Sequence, residues 1–365
     1  MASHIYIHAG FHKTGTTALQ HKLFSLAAQL RQYGFHYPTH GRKAHHREAW
    51  ALSGRTWGWK GNGGKKVDRS KWKHLLKEIK ATDENFIISS EFFSELNSTQ
   101  ISQVREDLGE TPVTIIFTWR PLRKILTSSY QQYLKYGITA TYDEWLESIF
   151  RDETKSITPT FWKRHSHDQV ILNWANVFHK SNIHLVVSEA SSPNLLFERF
   201  AASVGLPDFF PKTPISGPIN RKLSIQEIAL LRRINSLFPK DYGWRQYERF
   251  IRQGAFEYLS SQASPSDRIE SLATPEWAML SAEKVETIQV SRIRELGINI
   301  HGDLFDSSLP KTVMRDEPLD IPIDIAATAA IGMARITLEH WSMRELISEI
   351  YSRILKKIKN RLKPY

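Results

Sequence analysis

The chain has 365 residues, enough for one large domain or two modest ones, and its 41% apolar and 11% aromatic content supports a sizeable core and excludes wholesale disorder. It has no cysteine, which excludes disulfides, thiolate metal sites and cysteine nucleophiles. Lysines and arginines number 49 against 38 acidic residues, and the resulting net charge of +11 attracts polyanions: nucleic acid, anionic lipid, acidic polysaccharide or an anionic nucleotide.

Ile5, Tyr6 and Ile7 supply a short buried strand. Gly10 and Gly15 then bound a loop whose backbone can turn tightly and approach a ligand. Thr16 and Thr17 open a helix whose unpaired N–H groups and positive dipole end make an anion site, best suited to phosphate. The Gly10-to-Gly15 spacing is that of a Walker loop, G-x-x-x-x-G-K-S/T, but Thr16 stands where a nucleotide triphosphatase needs lysine. The lysine sits inside the loop as Lys13, where it can lie beside the terminal group of a 5′-phosphosulfate.

Leu19, Leu23, Leu26, Ala27 and Leu30 share one helical face up to Tyr33, and Gly34 stops the helix. The following stretch holds His40, His45 and His46. His36 and His40 have H-x-x-x-H spacing, but Pro38 between them argues against a helical metal pair, and no metal is expected. The stretch reads equally as a substrate-facing loop or a solvated one. Ser53 to Lys66 holds five glycines, two tryptophans and four basic residues. It is either a surface connection or a mobile lid on which Trp57 and Trp59 stack against an acceptor.

The spacing predicts a polar helix over Arg69–Lys80, a buried strand at Phe86–Ile88, a helix over Thr99–Leu108 and a second buried strand from Pro112 to Trp119. A further strand, Ile183–Val187, follows a helix faced by Val170, Ile171, Trp174, Val177 and Phe178. Another helix is expected over Ser192–Pro207. A helix opened by the capping box Ser224 and Glu227 runs to about Phe238. This alternation predicts an α/β fold with a parallel sheet. The longest apolar run, Ile325 to Ala334, is too short to span a bilayer. The first strand begins so early that we expect no cleaved leader and a cytoplasmic protein. The last segment places Ile350, Ile354, Ile358 and Leu362 on one face and Lys356, Lys357, Lys359, Arg361 and Lys363 around the rest. It is a basic amphipathic helix suited either to an anionic membrane surface or to docking on its own domain.

In the stretch Trp119 to Gly137, Arg120 ends a buried strand, Pro121 can start a helix, and Ser128 follows eight residues after Arg120. A guanidinium at a strand end gives charge-assisted, bidentate contacts to a phosphate, and a serine hydroxyl two turns on adds a neutral donor. Lys13–Thr17, K-T-G-T-T, together with Arg120 and Ser128, resembles the paired 5′-phosphosulfate and 3′-phosphate motifs of the PAPS-dependent sulfotransferases, in a form similar to bacterial members. His12 replaces the family's usual proline and Ala18 its frequent tryptophan. The resemblance covers Ser3 to about Pro207. It implies a P-loop-type three-layer sandwich, with a central parallel sheet of about five strands between helices and a mainly helical C-terminal region. The expected division is a PAPS-binding domain over residues 1–240 and a helical extension over 241–365.

What the resemblance implies for the site is transfer of a sulfuryl group from PAPS to an acceptor hydroxyl, without a metal. His12, Lys13, Thr14, Gly15, Thr16 and Thr17 would hold the 5′ end, with Lys13 also stabilising the leaving oxygen. Arg120 and Ser128 would hold the 3′-phosphate, and Arg221 in a basic loop would close over it, although the glycine of the related R-K-G motifs is missing. For the base we select Glu91, expecting Phe92 and Phe93 to desolvate it. His46 and His45 are held in reserve. The acceptor is expected to be a glycan, and no nucleic-acid partner is expected. A divergent P-loop kinase and a non-catalytic polyanion binder are the alternatives.

Overall fold

The computed structural model describes residues 1–54, 66–152, 154, 157–189, 192–214, 221–239, 241–262, 272–304, 320–339, 347, 350–351 and 354. Its strands are β1 (His4–His8), β2 (Phe35–His36), β3 (Asn85–Ser89), β4 (Val113–Trp119), β5 (Ile183–Val187) and β6 (Asn299–His301). They form one sheet in the order β2-β3-β1-β4-β5-β6, parallel throughout. The fold is the expected α/β class, with six strands among the described residues rather than about five. The edge strands β2 and β6 have two and three residues, too few to carry a periodic pattern.

Alternation of side chains along the strands splits the interior in two. Ile5, Ile7, Phe86, Ile88, Ile115 and Phe117 share one core with Trp72, Ile101, Val104, Ile171 and Trp174 from the helices Ser70–Ala81, Ser98–Leu108 and His167–Ala175. Ile87, Ile116 and Val186 share the other with Leu19 and Leu23 of the helix Thr16–Ser25 and with Leu196 and Phe200 of the helix Pro193–Val204. Helices therefore cover both faces, and each fully buried large side chain contributes roughly 1.5–3 kcal/mol.

The first helix does not run unbroken to Tyr33. It ends at Ser25 and resumes at Ala27–Arg31. Ser25 Oγ donates back to the carbonyls of His21 and Lys22, a local bond that competes with the helix and bends it.

The chain divides into two compact units interleaved in sequence. Met1–Tyr133, Ala140–Gly217 and Ala273–Arg315 form the unit that contains the sheet. Leu134–Thr139, Pro218–Leu272 and Asp316–Tyr365 form the other. The second unit contains the helix Ile225–Leu237, opened by the expected Ser224–Glu227 capping box. It also contains a continuous helix from Trp244 to Ser261, π-wound over Glu248–Phe256, and the helix Ile323–Glu339. A Cβ on Gly332 would lie 2.6 Å from the Gly254 carbonyl oxygen, so glycine permits these two helices to cross this closely.

Among the described residues no helix is long and apolar enough to cross a membrane. Ile350 and Ile354 are exposed. Ile358, Leu362 and the basic residues Lys356 to Lys363 lie outside the described residues, as do Trp57 and Trp59.

Candidate functional site

β1 has β3 on one side and β4 on the other, so the connections leaving these strands diverge at their carboxyl ends, the switch point at which open α/β sheets bind ligands. The Gly10–Gly15 loop, Ser90 with Glu91, and Arg120 all leave the sheet at this edge.

Gly10, Lys13 and Gly15 have φ of 44°, 68° and 93°. A Cβ at Gly10 would meet Thr16 Oγ1 at 3.0 Å, and one at Gly15 would meet Leu196 Cδ2 at 2.6 Å. Lys13 carries a side chain in the left-handed region, at a cost of about 1–2 kcal/mol that the surrounding loop must offset. The offset comes from below. Thr14 and Thr16 each donate a hydroxyl hydrogen bond to the Phe11 carbonyl, at 2.7 and 3.0 Å. Their hydroxyls also lie 2.7 and 3.3 Å from Thr118 Oγ1 on β4. These two hydroxyls therefore face the protein, and what Thr14 and Thr16 can offer an anion is backbone N–H. Gly15 caps the helix without a side-chain hydrogen bond, and Thr17 is exposed. The first turn thus presents N–H groups that no side chain caps.

Lys13 Nζ donates to Gln132 Oε1 at 3.1 Å. Gln132 lies four residues beyond Ser128 on the helix Leu122–Leu134, so the two share a face. Ser128 is half-buried and donates to the Ile125 carbonyl at 2.9 Å. Arg120, also half-buried, follows β4 directly. No spacing rule in the sequence marks Gln132. Arg123, which reads as a solvated helix charge, is instead buried, with its two terminal nitrogens each 3.2 Å from Glu283 and Glu286. The helix Glu276–Glu295 supplies both carboxylates.

Glu91 and His46, far apart in sequence, are brought together. Glu91 opens a 3₁₀ turn, Glu91–Glu95, and its Oε2 accepts from Gln20 Nε2 at 3.1 Å. His46 opens the helix His46–Ser53, with Nδ1 3.8 Å from the same carboxylate oxygen and 2.9 Å from Ser90 Oγ. Burial alone would push the Glu91 carboxyl up, as expected from its aromatic neighbours. His46, His12, the turn's own backbone and Gln20 together outweigh burial and hold it below the usual range. Glu91 is thus an ionised carboxylate at neutral pH. Phe92 stands beside it, with ring centroids 5.1 Å from His46, 5.2 Å from His12 and 4.8 Å from Trp50.

His45 is fully engaged. Its Nδ1 accepts from the Ser89 N–H at 3.0 Å and its Nε2 donates to the Pro38 carbonyl at 2.8 Å. Burial pushes it down to about 4, so it is a neutral structural imidazole and not a reserve base. The His12 ring points at Glu95, 3.0 Å away, and Arg164 Nε donates to the same carboxylate oxygen at 2.9 Å. Burial would raise the Glu95 carboxyl, but Arg164 and His12 hold it far below its ordinary value. Burial, then Arg164, lowers His12. The Nε2 edge of His12 is thus turned to Glu95. Glu95 and Arg164 carry no sequence motif.

Arg221 belongs to the second unit, where its guanidinium donates to both carboxylate oxygens of Glu227 and to the carbonyls of Lys222, Leu259 and Gln262. Those five bonds use every N–H the side chain has. The loop around Arg221 therefore offers no free guanidinium to a phosphate, a correction to the expectation from sequence.

A solved sulfotransferase from Alicyclobacillus acidocaldarius aligns with this chain at 15% identity and a TM-score of 0.41, over 66% of this chain and 98% of that one. No family model matches the sequence. No curated protein matches it either.

Proposed function

We propose that this chain is a sulfotransferase that transfers a sulfuryl group from PAPS to an acceptor hydroxyl. The observation that carries this reading is Lys13. It sits inside the loop in a left-handed conformation, with its ammonium on Gln132, one helical turn from Ser128. That position suits the leaving end of a phosphosulfate, and the same helix face leads on toward a 3′-phosphate.

In this reaction the acceptor oxygen bonds to sulfur as the sulfur–oxygen bond to the 5′-phosphate breaks. The acceptor loses its proton to a base, and PAP departs. Lys13 would neutralise charge developing on the bridging oxygen, and the N–H groups of Gly15, Thr16 and Thr17 would hold the 5′-phosphate. Arg120 would hold the 3′-phosphate, with the Ser128 hydroxyl rotated from Ile125 toward it. Glu91 would accept the proton, directly or through His46. Arg221 is not part of this set.

A glycan acceptor is supported by the aromatic wall of Trp50, Phe92 and His46 beside Glu91, on which a sugar ring can stack. The +11 charge suits an anionic nucleotide and an acidic glycan alike. A cytoplasmic location, with the basic C-terminal segment on an anionic membrane surface, completes the proposal.

The test is transfer of labelled sulfate from PAPS to a panel of glycans, glycolipids and phenols. Wild-type protein labels a glycan, and Lys13→Ala transfers at least about a hundredfold more slowly. Mg²⁺-dependent ATP turnover with no sulfate transfer would replace this reading with the kinase one.

A further inference from the structure

Away from the phosphate loop, three side chains that are scattered in sequence converge. His40 comes from the connection between β2 and the helix His46–Ser53, and His74 and Glu78 lie one turn apart on the helix Ser70–Ala81. His40 Nε2 is 3.0 Å and His74 Nε2 3.2 Å from the same oxygen, Glu78 Oε1. One ligand atom from each residue falls within a 4.8 Å set. Pro38 argues against pairing His40 with His36 on one helix. The fold instead supplies a partner histidine and a carboxylate from another element.

We propose that His40, His74 and Glu78 bind a divalent transition-metal ion of the zinc class. Two imidazoles and a carboxylate are a donor set that zinc favours. Metal–ligand bonds of about 2.0–2.1 Å place the ligand atoms of a tetrahedral site about 3.4 Å apart. The observed 3.0 and 3.2 Å edges to Glu78 need a few tenths of an ångström of opening, and the edge between the two imidazoles falls within 4.8 Å. Binding moves the imidazole protons from Nε2 to Nδ1, so the Nε2 lone pairs face the metal. The side chains of His40, His74 and Glu78 are 34%, 69% and 24% exposed, so an ion can enter and water can take the fourth position.

The backbone at His40 is an independent sign of constraint. With φ of 44° it shares the left-handed region with Lys13, and these are the non-glycine residues there among those described. The ion would tie the segment between β2 and His45 to the helix Ser70–Ala81. That segment leads directly into the helix that His46 opens, so the metal is a brace and takes no part in sulfuryl transfer. The inference stands whether or not the proposed reaction is correct.

The test uses the full-length protein, stripped with a chelator and then titrated with Zn²⁺ in competition with a chromophoric chelator. Co²⁺ serves as a spectroscopic probe. Wild-type protein binds one equivalent of Zn²⁺, gains thermal stability from it, and shows the intense visible bands of four-coordinate Co²⁺. His40→Ala, His74→Ala and Glu78→Gln each weaken binding at least about tenfold and abolish those bands. His74 is mostly exposed, so its variant keeps the question open to test if His40→Ala folds poorly. Replacing His179, an exposed histidine on another element, leaves binding unchanged. Zn²⁺ affinity in the His40→Ala/His74→Ala double variant equal to that of the wild type overturns the proposal.

Discussion

The hydroxyls of Thr14 and Thr118 lie 2.7 Å apart beneath the Gly10–Gly15 loop. Thr118 is two residues before Arg120, so β4 carries the pin that holds the loop and leads directly into the arginine proposed for the 3′-phosphate. Thr118→Val keeps the shape and removes the shared hydroxyl. It is expected to cost about 1–2 kcal/mol of stability in urea unfolding and to weaken PAP binding in calorimetry. Unchanged PAP affinity would show that the loop holds its form without β4.

Glu91→Gln is expected to lower kcat by about 10²–10⁴-fold while PAP affinity stays within about threefold, because the proposed role of the carboxylate is toward the acceptor and not the nucleotide. Glu91 is held below the usual carboxylate range, so it remains ionised through mildly acidic pH. Activity limited by Glu91 therefore persists down to pH values below that range. A loss of kcat in His46→Gln larger than that in Glu91→Gln assigns the base to His46 instead.

Glu95 takes hydrogen bonds from His12 and Arg164 in a nearly closed environment. Glu95→Gln leaves the Arg164 charge without its counter-ion, and should cost about 3–5 kcal/mol in urea unfolding. The sign with pH follows from the depressed folded-state value. The Glu95 contribution is fully present above the unfolded carboxylate range, about pH 4.3, and fades as pH falls below it. The difference in stability between wild type and Glu95→Gln should accordingly shrink as pH falls from 5 to 3.

Buried histidines make the fold acid-sensitive before the carboxylates do. Burial pushes His8 and His45 down to about 4 and His167 to about 3. Each is neutral when folded, whereas in the unfolded chain each titrates near about 6.5. Depressed folded values mean that their stabilising contribution is complete above about pH 6.5 and is lost as pH falls toward 4. Near pH 5 the unfolded chain holds three more protons at these sites, a slope of about 4 kcal/mol per pH unit. Urea midpoints measured between pH 7 and pH 5 should fall steeply. A flat profile would mean that these rings charge without cost.

The sequence showed most where chemistry is local. Strand, glycines, Lys13 and helix start are contiguous, and Arg120 and Ser128 lie on one strand-to-helix connection, so both motifs could be read and the α/β class followed. Partners supplied by distant chain were hidden. Nothing near Lys13 announces Gln132, and nothing near His12 announces Glu95 or Arg164. Arg123 reads as solvated because the carboxylates that cover it, Glu283 and Glu286, come from a late helix. Glu91 has the aromatic neighbours that raise a carboxyl, and only the fold brings in the imidazoles that lower it. Arg221 has the composition of a phosphate-closing loop, but its geometry is spent on Glu227 and three carbonyls.

The most direct test of the account is the affinity ratio of PAP to AMP, which differ only in the 3′-phosphate, measured by calorimetry on wild-type protein and Arg120→Ala. Two charge-assisted hydrogen bonds to that phosphate predict a preference for PAP of at least about a hundredfold in the wild type. In Arg120→Ala the ratio should collapse toward one while AMP binding is retained. Equal affinity of the wild type for PAP and AMP would contradict the account.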